Sequence, residues 1–488
     1  MTNALSNSML EPEMASPLYI QLRRRIRTLI QQGLWKPESQ LPTVSELARH
    51  HGVNRLTVLK ALAGLKHAGW VQTFNGRGTF VASKLPEFQG GKTANHHPFE
   101  GSSATVRKGA VGSWICETLE QPQDCELLNF SAETAPPDLL PHDALRSMTR
   151  QALRELGPEL WQYSEPAGFA PYLEAVGRWL ASQGEPVEEG WGIRAIPGAQ
   201  AGLALTLETF TVPGDRVLVE SPGQAGLLAL VRALGREAVP MPLDQHGVDP
   251  DRLESILKYV DAKVLFTVPT FQNPTGTIQP RGRRERILAL TRARGVLVVE
   301  DSTYADLRFS GLHHPSNRQL DGSDHVIQLG SFSKSLAAGL RLGYLIAKEP
   351  LLRRMAPIQE SQAIALAPLT QAVVARFLDS GGFRRHVGRL RRTIKARKEA
   401  MIEAVVTHFP PDTQISEPKG GLHLWVVLPE DCSAVDLQAK ALKRGISFAP
   451  GPLFFPDGRG TNCLRLNVST CDPATTRRAI EHLGRLIR

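Results

Sequence analysis

The chain has 488 residues, 42% hydrophobic and 22% charged, a composition of ordinary globular protein long enough for two or three domains. It contains no run of about 18 apolar residues, and its first residues lack a basic start and an apolar stretch, so neither a membrane span nor a secretory signal is expected. The net charge of +9 is uneven: residues 1–84 hold 11 Lys/Arg against 4 Asp/Glu, which leaves +2 for the other 404 residues and points to a polyanion partner for the first segment alone.

The first predicted elements are helical. Leu18, Leu22, Ile26, Leu29 and Ile30 recur at helical spacing, and Gly33 ends the pattern. In "LPTVSELARHHGV", Thr43 and Glu46 fit a capping box, each side chain satisfying a free amide at a helix start. In "NRLTVLKALAGLKHAGW", Asn54 caps a further helix, Val58, Leu62 and Leu65 form its inner face, and Gly69 terminates it. Two short helices joined at "HHGVN" read as a helix-turn-helix. The segment "WVQTFNGRGTFVA" then reads as a hairpin around Asn75-Gly76-Arg77-Gly78. Together they make a winged helix, mostly α with a small β element. Arg55, Thr57 and Lys60 fall in the N-terminal half of the second helix of the pair, where recognition helices meet the major groove of double-stranded DNA. Arg77 falls at the wing tip. The stretches "PLYIQL", "LPTVSELA", "NRLTVLKAL" and "GRGTFV" resemble the GntR family of bacterial winged-helix regulators across residues 17–82. That family usually has a DNA-contacting arginine where this chain has Ser45.

Residues 1–82 are thus expected to form a DNA-binding domain, and residues 83–125, dense in Gly, Ser, Asn and Pro without periodicity, a linker. From about residue 126, helical patterns alternate with continuous apolar runs: "RVLVE" (216–220), "KVLFTV" (263–268), "VLVVE" (296–300), "HVIQL" (325–329) and "GYLIA" (343–347). Apolar runs without alternation, separated by helices, predict a mainly parallel sheet buried on both faces, with ligands beyond the carboxyl ends of its strands. The expected division is a large α/β domain over about 165–365 and a small α+β domain over about 366–488 that includes an N-terminal contribution from residues 126–164.

The residues after these runs carry chemistry. "KVLFTV" is followed by "PTFQNPTG" with Asn273, "VLVVE" by "DSTY" with Asp301 and Tyr304, and "HVIQL" by "GSFSK" with Ser331, Ser333 and Lys334. Upstream, Gly198, Ala199 and Gln200 open an apolar helix, whose free amides suit a phosphate. Arg341 adds a cation able to grip a phosphate with two hydrogen bonds. The inventory fits pyridoxal 5′-phosphate, which needs a lysine for its aldehyde, a carboxylate for its ring nitrogen, donors for its ring oxygen and an anion cradle. The five cysteines (Cys116, Cys125, Cys432, Cys463, Cys471) show no CxxC pair, so no zinc site or disulfide framework is expected, and a reducing cytoplasm is the plain reading.

On these motifs, residues 126–488 resemble the fold type I aminotransferases. The resemblance implies that Lys334 forms the Schiff base, Asp301 partners the pyridine nitrogen, Asn273 and Tyr304 hold the ring oxygen, and Ala199, Gln200, Ser331, Ser333 and Arg341 surround the phosphate. It implies that Tyr163, in "YSEPAGFAPYLEAV", reaches the site of a second subunit in a homodimer. It also implies that Arg465, in "NCLRLNVS", holds the carboxylate of an effector or substrate. Gln224 stands where the family has an aromatic stacked on the cofactor ring, and Glu133 where a glycine-containing loop approaches the substrate. A GntR-type winged helix joined to an aminotransferase-like domain resembles the MocR subfamily of regulators, which implies a head-to-tail homodimer that binds operator DNA and senses pyridoxal phosphate, or an amino compound, through aldimine formation. The rival expectation is a working aminotransferase with a DNA-binding appendage. The two departures speak for weak turnover.

Overall fold

A computed structural model of the chain describes residues 18–31, 35–67, 69–74, 78–83, 127–322 and 324–487. Arg77, Gly33, Cys116, Cys125 and nearly all of the expected linker lie outside these residues. The chain divides between residues 105 and 106 into two compact units.

The first unit contains helices α1 (Leu18–Gln31), α2 (Val44–His50) and α3 (Arg55–His67), then strands β1 (Val71–Phe74) and β2 (Gly78–Val81). The start of α2 is fixed by the expected capping box: the Glu46 amide donates to Thr43 Oγ1 at 3.3 Å and the Thr43 amide to Glu46 Oε2 at 2.7 Å. The turn before α3 is fixed by Asn54, whose Oδ1 accepts from the amide and hydroxyl of Thr57 at 2.7 and 2.8 Å. Gly69, at φ +74°, supplies the left-handed residue that releases the chain from α3 toward β1. The strands pair antiparallel with Val71 opposite Val81 and Phe74 opposite Gly78. Leu22, Ile26, Ile30, Leu47, Val58, Leu62, Leu65, Trp70 and Val81 form one core. The unit is the winged helix-turn-helix that the sequence predicts.

The second unit begins with β3 (Leu128–Asn129). Its main sheet runs in the order β4 (Trp191–Ile196), β11 (Gly343–Lys348), β10 (Val326–Ser331), β9 (Leu297–Asp301), β8 (Ala262–Thr267), β5 (Arg216–Ser221), β6 (Glu237–Asp244) and β7 (Gly247–Val248). The pairs β10–β9, β9–β8, β8–β5 and β5–β6 are parallel. The run "GYLIA" departs from the parallel expectation, because β11 lies antiparallel to both β10 and β4. An eleven-residue turn after β10 is too short for the crossover that a parallel return requires, so the chain doubles back. The carboxyl ends of β4, β5, β8, β9 and β10 still share one edge of the sheet.

A second, antiparallel sheet of β12 (Gln414–Ile415), β13 (His423–Val427), β16 (Cys463–Asn467) and β15 (Ala449–Pro450) packs on the helices Gly382–His408, Ala434–Leu442 and Pro473–Ile487 through a core with Phe130, Leu424, Phe448 and Leu466. Strand β3 joins this body, pairing in parallel with β14 (Ile446–Ser447). The helix Pro368–Asp379, expected with the small domain, instead contributes Val374, Ala375, Phe377 and Leu378 to the core of the large sheet beside the helix Ala170–Ser182. No helix among the described residues is long and apolar enough to cross a membrane.

Candidate functional site

Parallel register brings the chemistry to one edge. Asp301 is the last residue of β9 and lies beside Leu329 of β10, two residues before the strand ends at Ser331. Beyond those ends lie Asn273, Tyr304 and Lys334. Burial raises the pKa of Asp301, although the Thr303 side chain and its amide, at 2.9 Å from Oδ1, oppose the rise. Burial also lowers the pKa of Lys334 below that of a free lysine; Glu133 opposes this, and Arg465 adds to it. A buried lysine of lowered pKa is a better nucleophile at neutral pH, since more of it is the free amine.

Arg465 comes from β16, where its backbone pairs opposite Trp425 and Ala449. The residue is 2% exposed. Its Nη1 donates to Glu133 Oε1 and, at 3.0 Å, to Asn273 Oδ1; its Nη2 donates to the Ser131 carbonyl at 2.8 Å. Asn273 Nδ2 in turn donates to Glu133 Oε1 at 3.2 Å and to the Tyr304 hydroxyl at 3.4 Å. Lys334 Nζ lies 3.6 Å from Glu133 Oε2. Five predicted or flagged residues (Lys334, Asn273, Tyr304, Arg465 and Glu133) therefore form one connected group. Burial opposes the ionisation of Glu133, but Arg465 and then Lys334 outweigh it and hold its pKa far below the usual carboxylate range.

The residues expected to cradle an anion lie at the adjoining strand ends. Gly198, at φ +91°, precedes the helix Ala199–Phe210, which has no side-chain cap, so its first amides are open to an anion. A Cβ at Gly198 would stand 3.2 Å from Arg341 Nη2, and that nitrogen donates to the Pro197 carbonyl at 3.0 Å. The Ser333 amide donates to Ser331 Oγ at 3.2 Å, while the buried Ser333 hydroxyl has no partner among the described residues. Gln200 is turned differently, its Nε2 donating to the Gly226 carbonyl at 2.9 Å, so its backbone is the part at the helix start. Gln224 lines a recess with Thr267, Val268 and Asp301, and its buried Oε1 also has no partner among the described residues. Tyr163 is 79% exposed and makes no contact with this group within one chain.

His423, which the sequence reading passed over, is 1% exposed with both ring nitrogens unpartnered among the described residues. Its ring meets that of Tyr304 edge-on at 5.0 Å, and burial, then Arg465, drives its pKa well below 6.5. The position in "GGLHLWVV" offered only strand periodicity as a signal.

In the first unit, Arg55 and Lys60 project from α3 into solvent, as does Ser45 from α2. Thr57 is half-buried, and its hydroxyl is engaged with the Asn54 cap. Leu56 and Leu59 are exposed on the same helix, at 68% and 50%.

Residues 128–483 match the family model of aminotransferase class I and II, and residues 18–81 match that of bacterial regulatory proteins, gntR family. The chain is 33% identical over 392 residues to the 2-aminoadipate transaminase of Thermus thermophilus, covering 79% of this chain and 97% of that protein. It is 27% identical over 476 residues, 97% of this chain and 96% of the other, to YdfD of Bacillus subtilis, named as an uncharacterized HTH-type transcriptional regulator. The crystal structure of LysN, the alpha-aminoadipate aminotransferase of Thermus thermophilus complexed with N-(5'-phosphopyridoxyl)-L-leucine, superposes with a TM-score of 0.71 at 33% identity, over 76% of this chain and 94% of that one.

Proposed function

Because the chain belongs to the class I and II aminotransferase family and carries a gntR-type helix-turn-helix ahead of that fold, we propose that it is a DNA-binding transcriptional regulator whose cofactor domain senses pyridoxal 5′-phosphate, or an amino compound joined to it. The observation that carries this reading is the presence on one chain of both a winged helix and a lysine-centred site, in an arrangement matched along nearly its whole length by a protein named as a regulator.

The cofactor is pyridoxal 5′-phosphate, which supplies an electrophilic aldehyde and an electron-withdrawing ring when bound. The unpartnered Ser333 hydroxyl, the uncapped helix at Gly198 and the adjacent Arg341 are a donor set suited to its phosphate. In our assignment, Lys334 would offer its amine to the aldehyde, and burial lowers the pKa of that amine below that of a free lysine. Asp301, desolvated at the end of β9, holds the proton of the ring nitrogen. Asn273 and Tyr304 would hold the ring oxygen, Ala199, Gln200 and Ser331 would complete the anion cradle, and Tyr163 would serve the site of a partner subunit. Operator contacts fall to Arg55, Lys60 and Arg77, with Thr57 buttressing α3 through its cap. The protein works in the cytoplasm as a homodimer.

A regulator needs a ligand that prefers one of two states of the protein, not fast turnover. The deciding experiment measures operator affinity of the full chain with and without pyridoxal phosphate and a panel of amines, beside keto-acid formation. A ligand-dependent change in operator affinity with turnover well below about 1 s⁻¹ supports the regulator. Turnover in the ordinary enzyme range, with no ligand effect on DNA, supports the working aminotransferase instead.

A further inference from the structure

The carboxylate-holding position of the cofactor domain is already filled by the chain itself. A bound carboxylate needs two parallel N–H donors from a guanidinium. Both terminal nitrogens of Arg465 are engaged: Nη1 by Glu133 and Asn273, Nη2 by the Ser131 carbonyl. Glu133 bridges from there to Lys334. An α-amino acid that reacts where the Lys334 amine stands would carry its carboxylate carbon two bonds from its own nitrogen. It would therefore bring that carboxylate against Glu133.

The backbone that carries Glu133 is tied on both sides. The Phe130 amide donates to the Ser447 carbonyl at 2.7 Å, and the Asn467 amide to the Phe130 carbonyl at 2.8 Å. On the other side, Asn467 Nδ2 donates to the Thr134 carbonyl at 3.1 Å. The loop is thus tied to β14 and β16 before and after residue 133, and the strand that carries Arg465 is one of the two that tie it. Protonation does not relieve the clash near neutral pH, since Arg465 and Lys334 keep Glu133 ionised.

We propose that Glu133 is an internal carboxylate that occupies Arg465, so that the site selects primary amines bearing no carboxylate on the amine-carrying carbon. The selection has two parts. An α-carboxylate meets a like charge and finds both terminal nitrogens of Arg465 already engaged, with only the buried Nε left without a partner among the described residues. An amine arriving as an ammonium ion meets an anion that attracts it. Glu133 is a specificity-determining residue here; it takes no part in bond making.

This inference rests on the reading of Lys334 as the reactive amine of a pyridoxal phosphate site, and the test separates the two. The full-length protein, loaded with pyridoxal phosphate, is titrated with n-propylamine and with L-2-aminobutyrate, which differ by the α-carboxylate alone, and apparent Kd values are read from the cofactor absorption. In the wild type, n-propylamine is expected to bind more tightly. Glu133→Gln should shift the ratio of the two affinities toward L-2-aminobutyrate by about tenfold or more, the scale of one charge-assisted hydrogen bond. Glu133→Gly should do the same, which guards against a misfit of the glutamine side chain. Adding Arg465→Ala to either variant should abolish the gain. A wild type that prefers L-2-aminobutyrate, a smaller shift in both variants, or a gain that survives loss of Arg465 overturns the proposal. If borohydride traps no cofactor on Lys334 in the wild type, the underlying site reading fails, and this inference falls with it.

Discussion

Replacing Arg465 with alanine should destabilise the second unit, and the loss should depend on pH in a defined direction. The residue is 2% exposed, and its removal takes one donor from each of Glu133, Asn273 Oδ1 and the Ser131 carbonyl. Deleting one partner of a buried ion pair typically costs about 3–5 kcal/mol. Glu133 keeps 28% of its side chain exposed and retains Lys334 at 3.6 Å, so we expect the lower end, about 3 kcal/mol. In the wild type the folded-state pKa of Glu133 lies below its unfolded value, so the carboxylate stabilises the fold above the unfolded pKa, near 4.5, and that contribution fades as the pH falls below it. Without Arg465 the largest cause of that depression is gone and burial pushes the pKa upward. The remaining cost then applies at high pH and is relieved as Glu133 takes up a proton. The assay is thermal unfolding of cofactor-free full-length protein followed by near-UV circular dichroism at pH 7 and pH 5. The variant should melt several degrees below wild type at pH 7 and recover part of the gap at pH 5. Glu133→Gln/Arg465→Ala should also recover part of the loss at pH 7, because no buried charge is stranded. A deficit that is the same at both pH values, or one that the double variant does not reduce, would refute the reasoning.

Other outcomes follow from the same geometry. Lys334→Ala should lose the borohydride-reducible attachment of pyridoxal phosphate while the far-UV spectrum stays unchanged, as mass spectrometry of the reduced protein will show. Ser333→Ala removes a buried hydroxyl that the proposed assignment gives to the phosphate and should weaken cofactor affinity by about 1 kcal/mol, or roughly fivefold, in a fluorescence titration. Asn54→Ala takes the cap from α3 and should cost the winged helix about 1 kcal/mol, visible as earlier loss of operator binding in a urea series. Operator affinity should fall steeply with salt, and Arg55→Ala should reduce specific binding by roughly 1–3 kcal/mol if that residue reads a base edge; an unchanged specificity ratio in gel-shift competition counts against it.

Much of this protein is legible in its sequence because short-range physics sets it. The Thr43–Glu46 box and the Asn54 cap are contacts over three residues, and both occur as the local pattern demands. Lys334, Asp301 and Asn273 could be found because each follows an apolar run directly. What escaped depends on distant pairings. The reversal of β11 is set by the length of a turn, since its own apolar run resembles its parallel neighbours. The helix Pro368–Asp379 has an apolar face that suits either body, and packing against Ala170–Ser182 decides between them. Glu133 and Arg465 stand 332 positions apart, so their contact has no local signature. His423 is hidden for the same reason: its surroundings come from Tyr304, in the turn after β9, and Arg465, on β16.

The reversed strand has a mechanical consequence. Lys334 and Arg341 sit in the same turn, closed at its base by Phe332, whose amide donates to the Leu342 carbonyl at 3.1 Å, and folded internally by the Leu336 and Ala337 amides, both donating to the Phe332 carbonyl. Immediately beyond it, the Gly343 carbonyl accepts the buried Tyr172 hydroxyl at 2.8 Å. The amine and the guanidinium are therefore spaced by one rigid caliper whose jaws cannot be adjusted separately. An inserted or deleted residue between 332 and 342 would move both ends of the grip at once, whereas insertions after β6, on the far side of the sheet, would leave the gap between them untouched.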